Sequence, residues 1–337
     1  MFVKNCKYIF PLFNVSSIGK FRNSFEVWFN DTIQILMKHC SEIVIKNEDF
    51  TKNVTIYKNP DIKSLDTIVV IIINFNALLV NLHRIVDCLN FKNVMIWTVF
   101  EGDELMTNLL YQYDVINKCK IYPVSSYCDN ILKQHKFITQ SIFPNYISND
   151  KFDIHFNPDY SSKDFVFLCV STNAHRKNVL LLINTFKKAF ANSPNIKLLL
   201  RVNDVDEHLL SPNDNIQILP PSSNMKDLYK QAHATVLASS IEGFGMPVLE
   251  GLLNGLPSVV PFHSGLLDFV NIYNSLPVSY SVVNDPHSVR DAGIKGNVYE
   301  IDPDSLLHQM ENMVSVAPIL SKTINRKLLY NKFANID

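Results

Sequence analysis

The run TIVVIII, residues 67–73, restricts the fold more than any other stretch of the chain. Every residue in it is β-branched, and nothing polar interrupts it after Thr67. A strand of this kind has no face for water and belongs inside a sheet covered on both sides. It stops at Asn74, far short of the ~20 residues that a membrane span needs. Sheets covered on both faces are parallel, with crossover helices between successive strands. The neighbouring sequence supplies both. YIFPLF (8–13) leads to a helix-like segment over 23–39, and EIVI (42–45) follows it. After TIVVIII come a helix over 76–89, VMIWTVF (94–100), a helix over 104–113, CKIYPV (119–124) and a helix over 127–135. In such sheets ligands bind beyond the carboxyl ends of the strands.

Between residues 148 and 163 the alternation gives way to SNDKFDIHFNPDYSSK, polar and rich in turn formers. A chain of 337 residues is too long for one small core, and this break divides it. The second half restarts with DFVFLCV, a helix over 178–191, IKLLLRV, NIQILP, a helix over 225–232, ATVLAS and PSVVPF. The expected organisation is α/β: a first parallel-sheet domain over 1–150, a second over 151–312, and a terminal helix over 313–337 that either packs back on the first or stays solvated.

Charge narrows the function classes. With 31 basic and 32 acidic residues the formal charge is -1, and no basic run with interleaved aromatics offers a nucleic-acid face. The six cysteines are scattered, without a CxxC pair or a His/Cys cluster at ligand spacing, so buried free thiols and no metal are expected. The start, MFVKNCKYIFPLF, has no small-residue cleavage site, which favours a cytoplasmic protein; peripheral membrane contact through the first half stays open. Asn14, Asn30 and Asn53 begin N-x-S/T triplets that are then chance matches. No G-x-G-x-x-G follows the first strand of either half, which argues against a dinucleotide oxidoreductase.

Only nine glycines occur, and four of them, Gly243, Gly245, Gly251 and Gly255, fall in SSIEGFGMPVLEGLLNGLPSVV (239–260). This stretch reads as a tight loop, a helix with Pro247 at its first position, and a left-handed cap at Gly255 with Pro257 beyond. Val248, Leu249, Leu252 and Leu253 supply the buried face. The loop brings a helix N-terminus to the carboxyl edge of the sheet, where amides and the dipole favour an anion. Gly243 and Gly245 are expected to clear the way for a ligand to approach that backbone. Two glutamates flank the turn. Taken singly, Glu250 complements the dipole and Glu242 is a solvated loop acid; taken together, both accept hydrogen bonds from hydroxyls of one ligand whose phosphates lie between them.

A second site points the same way. FVFLCV runs into STNAHRKN, which sets His175, Arg176 and Lys177 at the start of the next helix. Cations at a positive helix end are unfavourable unless an anion sits nearby. Two such helix ends in one half-chain favour a phosphate-bearing ligand.

These residues resemble the GT-B glycosyltransferases, in particular the retaining, nucleotide-sugar-dependent family 4 (glycosyl transferases group 1). The family's paired glutamates with EGFG at the first match Glu242-Gly-Phe-Gly-Met-Pro-Val-Leu-Glu250. FPNYISNDKF (143–152) is similar to its interdomain PNGVD segment, HRKN (175–178) to its RKN element, and HSGLLDFV (263–270) to its GGxxE element. The similarity covers about 130 residues, from 139 to 270, and fades before that.

The resemblance implies two Rossmann-like domains facing each other across a cleft, and transfer of a hexose from a UDP- or GDP-sugar without a metal or other cofactor. It implies that Glu250 binds the ribose hydroxyls, that Lys177 binds the diphosphate with help from Arg176, and that Glu242 contacts the transferred sugar. Gly243, Phe244 and Gly245 would offer backbone amides to that sugar, and Met246, Pro247 and Val248 would lie near the phosphates. The acceptor is left open among glycan, lipid-linked and protein hydroxyls. Departures accompany the match. Ser171-Thr172 stands where the family has Gly-Arg, and SSIGK (16–20) has one glycine where the family has a pair. Glu101, Gly102 and Asp103 occupy the place of a family histidine; they read equally as groups that orient an acceptor or as a solvated helix start with Asp103 as N-cap. His83 and His135 read as structural. A degenerate homologue that binds a nucleotide-sugar as a partner subunit is the rival reading.

Overall fold

The computed structural model describes residues 6–11, 40–46, 53–58, 66–80, 94–105, 114–203, 205, 210–211, 215–220, 224–284 and 294–334. The expected helix over 23–39, the SSIGK loop and His83 lie outside these residues, as does most of the helix expected over 104–113.

The chain forms two compact units, one of Met1–Tyr146 with Ala292–Lys295 and one of Ile147–Asp291 with Gly296–Asp337. The first holds β1 (Cys6–Pro11), β2 (Cys40–Lys46), β3 (Asn53–Lys58), β4 (Asp66–Asn74), β5 (Val94–Val99), the two-residue β6 (Glu101–Gly102) and β7 (Lys120–Pro123). Six of these form one sheet in the order β3-β2-β1-β4-β5-β7. All its pairings are parallel except β2 with β3. TIVVIII, within β4, takes the interior place that its composition requires, between β1 and β5. Helix Phe75–Val80 follows it directly, with Phe75 and Leu78 wholly buried. The helix over Ser126–Gln134 is capped by Ser125, whose Oγ accepts from the Cys128 N–H at 3.2 Å.

In the second unit, β8 (Phe165–Thr172), β9 (Ile196–Asn203), β10 (Ile216–Ile218), β11 (Ala234–Val236), β12 (Ser258–Pro261) and β13 (Ser275–Val278) form an all-parallel sheet. Its order is β10-β9-β8-β11-β12-β13. Antiparallel β14 (Tyr280–Asn284) and β16 (Asn297–Ile301) stand beside it as a separate pair, and β15 (Ile294–Lys295) pairs with β6 in the first unit.

Alternation along β8 divides the second core. Phe165, Phe167 and Cys169 face helices Val179–Phe190 and Pro303–Thr323, packing against Leu182, Phe186, Leu306 and Met310. Leu168, on the other face, packs with Leu199, Leu228, Tyr229 and Leu256. Helix Pro303–Thr323 runs unbroken through position 313, and the short helix Arg326–Phe333 follows. Phe333 sits between the rings of Phe244 and Phe269, with centroids 5.8 and 5.9 Å away, so this helix is built into the second unit. Among the described residues no helix is long and apolar enough to cross a membrane. Cys119, Cys128 and Cys169 are buried and form no disulfide.

Candidate functional site

Strand order fixes where the motifs meet. The second sheet runs outward in both directions from β8 and β11, which are parallel neighbours, so the chain leaves both strands at the same end. A crevice opens at this kind of switch point. The loop after β8 carries His175–Lys177, and the loop after β11 carries residues 239–245. These segments, 65 positions apart, are joined side chain to side chain.

Lys177 donates from Nζ to Oε1 of Glu242, and Nη1 of Arg176 lies 3.6 Å from the same oxygen. Arg176 also donates to the Ile241 carbonyl at 2.9 Å, and the Ser240 N–H donates to the Arg176 carbonyl at 2.7 Å. Glu242 is 4% exposed. Burial alone would raise its pKa, but the charges of Lys177 and Arg176 outweigh that and hold the carboxyl below its ordinary value. It is therefore no solvated loop acid.

The cations are not where the sequence reading set them. His175–Lys177 is a separate 3₁₀ turn, and the α-helix begins at Val179 after Asn178 in the left-handed conformation, φ 50°. They stand outside the helix's first turn, so the argument from an opposed dipole does not apply. The anion they need is present within the chain, as Glu242. Asn178 pins the turn by donating from its side-chain amide to the Ala238 carbonyl at 2.9 Å and to Ser240 Oγ at 2.8 Å.

A third loop, after β12, closes the site. The Glu242 N–H donates to Ser264 Oγ at 3.1 Å, and the Gly265 N–H donates to the Glu242 carbonyl at 2.8 Å. Buried His263 has Nε2 3.0 Å from the Ser239 carbonyl and Nδ1 2.8 Å from Ser264 Oγ, and its ring stacks on Tyr299 at 4.2 Å. A carbonyl can only accept, which assigns the proton to Nε2 and leaves Nδ1 to accept from the Ser264 hydroxyl. Burial lowers the His263 pKa from 6.5 to about 4. Ser264 has φ 47°, a second non-glycine residue in left-handed backbone beside Glu242.

Glycine also serves packing within the chain at this loop. Gly245 has φ 98°, and a Cβ there would lie 2.3 Å from Leu266 Cδ2; a Cβ on Gly265 would lie 2.2 Å from the Gly243 carbonyl oxygen. These glycines let two loops of the protein approach each other, whatever a ligand does. Helix Met246–Leu253 begins at the turn and ends at Gly255, φ 78°, as the sequence indicates, with Val248, Leu249, Leu252 and Leu253 buried. The Val248 N–H closes onto the Gly245 carbonyl at 3.1 Å and Pro247 has no N–H, which leaves the Met246 amide as the donor of that turn. Phe244 is buried against Phe269 and Phe333.

Glu250, in the same helix, is also 4% exposed. Tyr229 donates to its Oε2 at 2.8 Å, and Lys151 Nζ lies 3.9 Å from its Oε1. Asn254 ties the helix to the segment before β8, accepting from the Asp153 N–H at 2.9 Å and donating to the Lys151 carbonyl at 3.2 Å. Sequence reasoning missed Tyr229, and saw Lys151, Asn178, Ser239, His263 and Ser264 only as parts of quoted stretches, with no role of their own. In the first unit, Gly102 pairs with Lys295 and His135 Nε2 lies 2.7 Å from the Asp103 carbonyl.

Residues 150–275 match the family model described as glycosyl transferases group 1. No curated protein matches the sequence. Among solved structures, sucrose-phosphate synthase from Thermosynechococcus elongatus is similar at 13% identity and TM-score 0.67, over 97% of this chain and 95% of that one. HepE from Anabaena, solved in complex with UDP-glucose, is similar at 13% identity and TM-score 0.62 with the same coverage. S. aureus TarM, solved in a complex that includes UDP, is similar at 14% identity and TM-score 0.54, over 79% of this chain; the chain spans 52% of TarM's length. The fold is the GT-B fold of the glycosyltransferases.

Proposed function

We propose that this chain is a retaining glycosyltransferase that moves a hexose from a UDP- or GDP-sugar to an acceptor hydroxyl on a glycan, a lipid-linked molecule or a protein. One observation carries the reading: the half-buried Lys177 and Arg176 meet the buried Glu242 carboxylate at the switch point of the sheet, beside the N-terminus of the helix that holds Glu250. In this reading Glu250 accepts from the ribose diol, the diphosphate lies against Lys177, Arg176 and the Met246 amide, and Glu242 accepts from hydroxyls of the sugar. The matched family over 150–275 and the UDP-glucose held by a similarly folded protein support a nucleotide-sugar as donor.

The chemistry follows from the charges. The bond from the anomeric carbon to the diphosphate oxygen breaks as the acceptor oxygen bonds to that carbon from the same face. The acceptor proton passes to the departing phosphate. Negative charge grows on the leaving diphosphate, and preorganised cations lower the barrier most where charge develops. Lys177 and Arg176 supply those cations from side chains, so the mechanism calls for no metal. Holding the acceptor oxygen close to the anomeric carbon is positioning catalysis.

A second reading, a donor-binding subunit without turnover, is favoured by Ser171-Thr172 in place of Gly-Arg. Nucleoside diphosphate release from a panel of UDP- and GDP-sugars, with and without sugar and lipid acceptors, separates the two. Turnover that Lys177→Ala slows and a donor affinity that Glu250→Ala weakens support the enzyme. Binding with no release under any condition supports the subunit, and absence of nucleotide binding ends both.

A further inference from the structure

Helix Met246–Leu253 is enclosed nearly all round, and a carboxylate in its middle is costly unless it is held. Glu250 is held at both oxygens, by Tyr229 at Oε2 and by Lys151 toward Oε1. The Tyr229 partner is unusual in its setting. Its ring is wholly buried among Leu168, Leu199, Leu228, Ala232 and Leu256, a packing role that phenylalanine would fill equally well. Only the hydroxyl distinguishes it from phenylalanine. That oxygen lies 2.8 Å from the Glu250 carboxylate and 3.0 Å from the Pro247 carbonyl, both on the helix that opens the site. Burial and the adjacent Glu250 carboxylate push the phenol well above its usual range, so it stays a donor at any working pH.

We propose that Tyr229 is a positioning residue that makes the site selective for ribose over deoxyribose, by fixing the rotamer in which Glu250 meets the 2′-hydroxyl. This rests on the reading of Glu250 as the ribose-binding group. A carboxylate offers about four lone-pair sites; Tyr229 takes one, and Lys151 sets the orientation of the other oxygen. Without the phenol, Glu250 loses the donor that fixes Oε2, and its acceptors meet the ribose less consistently in one geometry. Geometry of this kind is how buried polar groups reject a substrate that lacks a hydroxyl. Tyr229 itself touches no substrate.

The test is calorimetric binding of UDP, GDP and their 2′-deoxy counterparts to the full chain, for wild type, Tyr229→Phe, Glu250→Gln and the double variant. The expected result is that Tyr229→Phe lowers the preference for ribonucleotide roughly tenfold, a hydrogen bond to a charged group being of that order. Affinity for the deoxy form should hardly change. In the Glu250→Gln background the same substitution should change the preference by less than about twofold, since the coupling runs through the carboxylate. A merely structural tyrosine would lower both affinities together and leave their ratio intact, which overturns the proposal while leaving the donor site standing. A wild type with no ribose preference, or one that keeps its preference in Glu250→Gln, refutes the reading of Glu250 and the proposal with it. If Tyr229→Phe does not fold, Lys151→Met tests the same rotamer from the other oxygen: a smaller ribose preference supports the proposal and an unchanged one overturns it.

Discussion

Acidification should loosen the site through His263 before it unfolds the rest of the chain. The folded imidazole titrates at about 4 against an ordinary 6.5, because burial disfavours its charged form. Hydrogen bonds to Ser239 and the nearby Glu242 charge pull the other way and only partly offset this. Below pH 6.5 the unfolded chain takes up a proton here and the folded chain does not, so stability falls as pH drops from 6.5 to about 4 and is level above 6.5. At about 1.4 kcal/mol per unit the gap amounts to about 3 kcal/mol, a large share of a typical domain's stability. The effect is local first. A proton on Nδ1 would displace the Ser264 hydroxyl hydrogen, and Ser264 Oγ is what receives the Glu242 N–H. Urea unfolding of wild type and His263→Gln across this pH range measures the difference in slope, and histidine ring NMR, with the signal assigned by its loss in His263→Gln, gives the midpoint. A midpoint at or above 6, or equal slopes in the two proteins, would refute the reasoning.

Glu242→Gln should cost about 2–3 kcal/mol in chemical denaturation, because it removes the buried carboxylate charge that the half-buried Lys177 and Arg176 face. Added pyrophosphate should restore part of that loss by supplying another anion; a loss below about 1 kcal/mol would show the cluster to be well solvated. Gly265→Ala brings a methyl against the Gly243 carbonyl, backbone against backbone, and should cost about 1–3 kcal/mol. Gly251→Ala meets Thr235 Cγ2 at 2.6 Å, and that buried, β-branched side chain is held by Ser258 Oγ at 2.6 Å, so its melting temperature should fall too; no fall in either variant would contradict these contacts.

The interior of both sheets was legible because fully buried strands are written as unbroken apolar runs. TIVVIII and FVFLCV have no other stable place. Two of the four edge strands carry no such mark. NVTIYK, which became β3, mixes polar and apolar residues, and SLPV, which became β13, is short and contains Pro277; both lie at the end of their sheet, where one side needs no partner. The paired glutamates and the helix that carries Glu250 were also legible, since Pro247 and Gly255 mark its ends.

What failed was the environment of the charges, and it failed for one identifiable reason. Arg176 and Lys177 read as the first turn of a helix because VLLLINTF follows them with helical spacing, and a single residue, Asn178 in left-handed backbone, breaks that continuity. Local pattern has no term for a partner 65 positions away. The partner is nevertheless implied by topology. Once β11 lies against β8, the loops that follow them share one end of the sheet, and a buried glutamate in one has nowhere better to point than at the cations in the other. The two motifs are therefore one electrostatic unit. A diphosphate entering between them must compete with Glu242 for Lys177, so its affinity reports the difference between the two anions and not the strength of either alone.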